Sequence, residues 1–282
     1  MQILPASLAL KLINTIKAME EVVVALSGGV DSAVVAKAAL LALGDRALAM
    51  TADSPSVPRH DIEAAKRLAT SIGLRHEIVA TAEFDNPDYL KNAGDRCYFC
   101  KSELYETILK RLSNLQGPIV CSGANLDDLG DYRPGLQAAK EKGIRHPLQE
   151  AGLGKKEVRE LAHYWNLEVW DKPASPCLSS RIAPGVAVSA ERTARIEKAE
   201  IYLKELGIKD CRVRLHQDEL ARIELPLGEM SRFASDEFRK NLSEYFQALG
   251  FRFITLDLNG LKSGSLNSLV PLEVMKRYQA KE

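Results

Sequence analysis

The run Ser27-Gly28-Gly29-Val30-Asp31-Ser32 holds the densest set of groups that could do chemistry. It follows an apolar stretch, Val22 to Leu26, and precedes Ala33 to Leu43, which reads as a helix. A strand, a tight Ser/Gly turn and a helix turn several backbone N–H groups toward one point. The positive end of the helix dipole adds to them, so that point suits an anion. Gly28 and Gly29 permit close backbone approach, and Ser27 and Ser32 add hydroxyl donors. The fit is to pyrophosphate. The ordinary P-loop ends in Gly-Lys-Ser/Thr and sets its lysine on the outer phosphates; here Val30-Asp31-Ser32 stands instead.

A second set lies in the stretch from Ser122 to Gly135, which carries Gly123, Asn125 and three carboxylates, Asp127, Asp128 and Asp131. It follows an apolar strand candidate. Carboxylates at a strand's carboxyl end can hold a magnesium ion that bridges phosphates. Taken alone the stretch also reads as a solvated acidic loop.

The five cysteines are Cys97, Cys100, Cys121, Cys177 and Cys211, an odd count that does not suggest a disulfide framework. Cys121 and Cys211 sit in strand candidates, where a buried thiol is ordinary packing. Cys97 and Cys100 form a Cys-x-x-Cys pair able to share one metal. With Cys177 they make three thiols and no evident fourth ligand, which suits a 4Fe–4S cluster with one open iron. A redox dithiol and a zinc site completed by histidine are the alternatives. Arg212 and Arg214 are two residues apart on a strand candidate, so both point the same way. A phosphate between them, or local carboxylates, would balance their charge. His216 shares that face.

These groups need a frame. Alternating strands (22–26, 47–51, 76–80, 118–122) and helices (58–72, 101–112, 155–165), with a short strand at 167–170, imply a parallel sheet covered on both faces. The expected class is α/β, a doubly wound, mostly parallel sheet. Ligands then sit at the carboxyl ends of the strands. Pro173, Pro176, Pro184 and Gly185 mark a break. Beyond it a helix (189–206), a strand pair (211–215, 220–225), a helix (235–249) and a strand (251–258) predict a small α+β domain. The expected division is 1–180 and 181–282.

Lys+Arg and Asp+Glu are both 38, and this balance argues against broad nucleic-acid binding. No basic region followed by a long apolar core opens the chain, and no run of eighteen apolar residues occurs. A cytoplasmic protein without a membrane span is expected.

The Ser27–Ser32 run after a strand resembles the PP-loop of the ATP pyrophosphatases, which cleave ATP to AMP and pyrophosphate. SGGVDS, the Asn125–Gly135 stretch, Ser175-Pro-Cys-Leu-Ser-Ser-Arg181 and the strand Arg212 to His216 together resemble the LarE family of sulfurtransferases, over nearly the whole chain. The resemblance implies a Rossmann-like PP-loop domain and a smaller C-terminal domain. It implies adenylation of a carboxylate on a pyridinium bis-carboxylate mononucleotide, with sulfur then replacing AMP. ATP and magnesium would be held by Ser27, Gly28, Gly29, Asp31, Ser32, Gly123, Asn125 and Asp128. Ser180, Arg212 and Arg214 would hold the substrate phosphate. Cys177 and Glu200 would belong to the active site, with Glu229 the candidate for a further acidic role that Ser231 cannot fill. One branch of the family sacrifices the sulfur of the cysteine matching Cys177. Another binds a 4Fe–4S cluster through three cysteines; Cys97, Cys100 and Cys177 match that branch. The implied partners are a small nucleotide and sulfide or another sulfur donor, with neither nucleic acid nor membrane, and a homo-oligomer remains open. A tRNA thiolase, an ammonia-using ligase and a non-enzymatic nucleotide-binding module are the rival readings.

Overall fold

Val22, Val23 and Val24 alternate sides of one strand, and each side meets a different apolar layer. A computed structural model describes residues 4–112, 117–129, 132–173, 175–262 and 264–278. In chain order the elements begin with α1 (Pro5–Lys17), β1 (Val22–Ala25), α2 (Val30–Leu43), β2 (Ala47–Asp53), α3 (Arg59–Ile72), β3 (Arg75–Ala80), α4 (Pro87–Lys91) and α5 (Arg96–Arg111). Next come β4 (Ile119–Cys121), α6 (Pro134–Glu141), α7 (Pro147–Glu150), α8 (Lys155–Tyr164) and α9 (Ala190–Glu205). The chain continues through β5 (Arg212–His216), β6 (Leu220–Glu224), α10 (Asp236–Ala248), β7 (Phe253–Leu256) and α11 (Leu272–Tyr278). These pack into two compact units, one of residues 1–83, 97–175 and 276–282, the other of residues 84–96 and 176–275.

The first unit holds a parallel sheet of order β3-β2-β1-β4. Val22, Val24, Ala47, Ala49 and Cys121 face a layer made by α1, α2, α3 and α8. Val23, Met50, Val79 and Val120 face a layer of Leu104, Tyr105 and Ile108 from α5 with Ala139 from α6. Both faces are therefore covered, as the alternation of elements requires. Helix α2 is apolar nearly all round because it is the central helix of its layer; its alanines let β1, α1 and α8 approach closely. From β1 the chain winds outward through β2 to β3, then returns to the other side of β1 as β4. The carboxyl ends of β1 and β4 thus flank the topological switch point, where open α/β sheets bind ligands.

The second unit carries a three-stranded sheet, with β5 antiparallel to β6 and β6 parallel to β7. Val213, Leu215, Ala221 and Ile223 are fully buried on one of its faces. Arg212, Arg214 and Arg222 alternate with them. Helix α9 packs on β5 and presents Ile196, Ala199 and Leu203. Residues 84–96 join this unit through Asn92, which adopts the left-handed conformation (φ 52°). Its Nδ2 donates to the carbonyls of Ile182, Ala183 and Val186 at 3.3, 2.8 and 3.0 Å.

Two local expectations are corrected. Leu167 to Trp170 forms turns, not a strand. Asn166 (φ 51°) ends α8 so that Leu167 N–H returns to Ala162, and Arg159 occupies the carbonyls of Trp170 and Lys172. Helix α5 starts at Arg96, not near Lys101, and so includes the Cys-x-x-Cys pair. Among the described residues no helix is long and apolar enough to cross a membrane.

Candidate active site

Residues 26–30 turn from β1 into α2 as the sequence predicts. Gly28 takes φ +74°, a left-handed position that disfavours a side chain, and Gly29 precedes the first turn of α2. The turn braces itself through its serines. Ser32 Oγ donates to the Gly29 carbonyl at 3.1 Å and accepts from Ser27 N–H at 3.2 Å. The two hydroxyls lie 3.1 Å apart.

The residues after β4 come directly against this turn. A Cβ on Gly123 would lie 2.7 Å from the Ser32 nitrogen, so only glycine allows the two backbones to meet. Asn125, almost fully buried, donates its Nδ2 to Asp31 Oδ1 at 2.9 Å. Asp128 Oδ2 accepts from Asn125 N–H at 3.1 Å and its other oxygen pairs with Arg133 at 2.7 Å. Burial first, with the Asp128 charge adding to it, holds the Asp31 carboxyl above the ordinary aspartate range, although the Asn125 hydrogen bond opposes both. Asp127 is committed elsewhere: it accepts the Lys155 N–H at 2.5 Å at the start of α8. Asp131 lies outside the described residues.

Sequence reasoning missed a third contributor. Lys172 Nζ donates to the Gly28 carbonyl at 3.1 Å and to Asp61 Oδ1 at 3.2 Å, while Asp61 Oδ2 accepts from Ser175 Oγ at 3.1 Å. Lys172 is 144 residues from Gly28, so no local spacing marks the contact.

The first unit also holds Cys97 and Cys100, three residues apart on α5; Cys97 is exposed and Cys100 half-buried. Cys121 is inert packing, its thiol pushed up to about 12 by burial. Among the described residues no three His, Cys, Asp or Glu side chains gather as a metal site.

The second unit contains the other expected residues. Cys177 is half-buried and precedes a short turn of helix, and its carbonyl accepts from Ser180 Oγ at 2.6 Å and Arg181 Nη1 at 3.0 Å. Arg181 pairs with the buried Glu200 through two bonds of 3.0 and 3.3 Å, and Glu200 also accepts Val213 N–H at 3.1 Å. Arg214 meets the fully buried Glu224 at 3.0 and 2.8 Å. Arg222 and Ser265 hold that carboxylate's other oxygen at 3.1 and 2.5 Å. Burial, then the charge of Arg181, lowers the Arg212 guanidinium from its usual value. His216 Nε2 is buried without a hydrogen-bond partner. Glu229 pairs with Arg232 at 3.4 Å, and Ser231 is exposed. Cys211 matches Cys121: burial pushes its thiol to about 12.

A four-stranded parallel sheet, a Ser/Gly turn at its switch point and a second loop fitted to that turn define a PP-loop ATP-pyrophosphatase fold. The family described as NAD synthase matches residues 7–89. Pyridinium-3,5-bisthiocarboxylic acid mononucleotide synthase of Lactiplantibacillus plantarum is 38% identical over 267 residues, covering 93% of this chain and 95% of that one. The chain belongs to the LarE family and is an ATP-dependent sulfurtransferase. An uncharacterized protein of Synechocystis sp., slr1717, is 47% identical over 252 residues, 89% of this chain and 94% of its own. The tRNA-specific 2-thiouridylase MnmA of Rickettsia africae is 28% identical over 202 residues, 58% of this chain and 55% of its own.

Proposed function

We propose that this protein uses ATP to turn a carboxylate of pyridinium-3,5-biscarboxylic acid mononucleotide into a thiocarboxylate, a step in making the nickel-pincer nucleotide cofactor. The observation that carries the reading is the meeting of two loops: Gly123 against Ser32, and Asn125 on Asp31. Together they build one anion-accepting site of the kind that ATP cleavage needs, and the Lactiplantibacillus relative supplies the substrate class.

A carboxylate is a poor electrophile because its leaving group would be an oxide. Its oxygen attacks the α-phosphorus of ATP, pyrophosphate leaves, and the acyl-adenylate then offers AMP as a good leaving group to sulfur. The amides of the Ser27–Ser32 turn stabilise the departing pyrophosphate. Asp31 and Asp128 fit a magnesium ion, since two neighbouring carboxylates, one held protonation-prone by burial, gain from a cation. When bound, the ion supplies positive charge to the phosphates.

Ser180, Arg212 and Arg214 are the proposed holders of the substrate phosphate. Burial and the neighbouring Arg181 weigh on the Arg212 charge, and a phosphate relieves both. Glu200 acts through Arg181 and fixes the turn that carries Cys177. Glu229 is the candidate for the further acidic role.

Cys97, Cys100 and Cys177 are the proposed ligands of a 4Fe–4S cluster. Cys97 and Cys100 share one face of α5, and all three thiols are outside any disulfide and incompletely buried, as a soft-metal site needs. When bound, the cluster supplies sulfur from an open iron. Sacrifice of the Cys177 sulfur is the alternative. Sulfide or another sulfur donor, with the cytoplasm as the location, completes the reading. The 28% likeness to a tRNA thiouridylase favours tRNA as the second substrate class, and the zero net charge weighs against it.

The test is anaerobic turnover with ATP and the pyridinium dicarboxylate mononucleotide. Pyrophosphate release that depends on this substrate, with a thiocarboxylate product, is expected; release driven by tRNA instead would replace the reading. Mass spectrometry of the protein then separates the sulfur sources: an unchanged mass supports the cluster, and loss of one hydrogen sulfide from Cys177 overturns it.

A further inference from the structure

The turn at Ser27–Ser32 has no lysine of its own, yet an ammonium group lies against it. We propose that Lys172 is the missing phosphate cation: it contacts the β-phosphate of ATP and neutralises pyrophosphate as it departs. The proposal rests on the reading that this turn takes ATP.

Three observations support it. Lys172 Nζ sits 3.1 Å from the carbonyl of Gly28, the left-handed residue at the centre of the turn. Its position is fixed rather than free, because Asp61, itself buried, holds the same ammonium at 3.2 Å. Asp61 is held in turn by Ser175. An ammonium has three N–H donors, and these contacts use two. The side chain keeps 26% of its surface exposed, so an incoming anion is not shut out from it.

The chemistry needs a cation there. As the substrate oxygen bonds to the α-phosphorus, the bond from that phosphorus to the oxygen bridging it to the β-phosphorus breaks, and the electron pair stays on that oxygen, which departs as part of pyrophosphate. No proton moves in that step. Negative charge therefore grows on the group nearest the turn, where a preset positive charge is worth more in the transition state than before it. In a P-loop the lysine comes from the loop itself. Here the segment between α8 and Cys177 delivers it from the far end of the unit. Asp61 is a positioning residue in this scheme, setting where the ammonium points.

The test compares the full-length parent with Lys172→Met, binding inorganic pyrophosphate, ATP and AMP, each with magnesium, by calorimetry. Loss of one charge-assisted contact weakens pyrophosphate and ATP binding by roughly tenfold or more, while AMP, which has no β-phosphate, keeps its affinity. Lys172→Arg restores part of the pyrophosphate affinity. Unchanged pyrophosphate affinity overturns the proposal. Equal loss for AMP also overturns it, because it assigns Lys172 a structural role only. If Lys172→Met melts early, Lys172→Gln is scored in the same way. A parent protein that binds neither ATP nor pyrophosphate refutes the ATP reading itself, an outcome separate from either.

Discussion

Asn125 reaches across from the loop after β4 to donate to Asp31 in the first turn of α2, at 2.9 Å. One amide thus joins the two segments that the sheet's switch point brings together. Its oxygen accepts Asp127 N–H at 2.9 Å and its own N–H meets Asp128, so the bridge is held from both sides. The consequences for function are measurable at individual positions.

Gly123→Ala should separate the two loops. The new methyl would meet the Ser32 nitrogen at 2.7 Å and the Asp31 carbonyl carbon at 3.0 Å, both backbone atoms that cannot swing aside. ATP-dependent pyrophosphate release is expected to fall by about 10²-fold, the scale for displaced transition-state donors. Circular dichroism should show an intact fold. Full activity in the variant would remove the loop-to-loop contact from the mechanism.

Asp31→Asn should trade activity for stability. Burial raises the Asp31 carboxyl, so the unfolded chain ionises it first as pH climbs. Stability is therefore greatest while both states are protonated, and it declines between the ordinary aspartate value and the raised one. At pH 7 the charged side chain is a cost, and asparagine removes it while still accepting from Asn125. The variant should melt at or above the parent temperature at pH 7, with the gap closing below about pH 4, and pyrophosphate release should drop sharply. A lower melting temperature at pH 7 would contradict the burial argument.

Glu224→Gln should be severely destabilising. The carboxylate is fully buried and balances both Arg214 and Arg222. Removing its charge leaves the Arg214 guanidinium without its partner and Arg222 with Asp257 alone, a loss of about 3–5 kcal/mol. Urea unfolding measures it. Arg214→Met combined with Glu224→Gln should recover part of that loss, because the stranded charge goes too.

Thiol counting distinguishes packing cysteines from functional ones. In metal-free native protein a disulfide reagent at pH 8 should modify Cys97, Cys100 and Cys177. Cys121 and Cys211, pushed to about 12 by burial, should react only after unfolding.

Much of the first unit was legible because its signals are local. Val22 to Ser32 encodes strand, turn and helix within eleven residues, and glycines at 28 and 29 have no other economical reading. The paired arginines were also visible, since two-residue spacing fixes a common face. What stayed hidden depends on partners far along the chain. Lys172 meets Gly28 across 144 residues. Asp127 looked like a magnesium ligand because nothing beside it reveals that α8 will start against it. Leu167 to Trp170 has strand-like composition, but the cap of α8 and the Arg159 hydrogen bonds fix it as turns.

Asn92 has a consequence for how this polypeptide can be dissected. It belongs to a thirteen-residue insert, 84–96, that interrupts one unit and completes another. Its three bonds to Ile182, Ala183 and Val186 form only after roughly ninety further residues exist. A gene split near codon 180 would therefore yield two fragments, one with an orphaned staple and the other lacking it. A cleaner excision removes both 84–96 and 176–275, bridging 83 to 97 and 175 to 276 with short linkers.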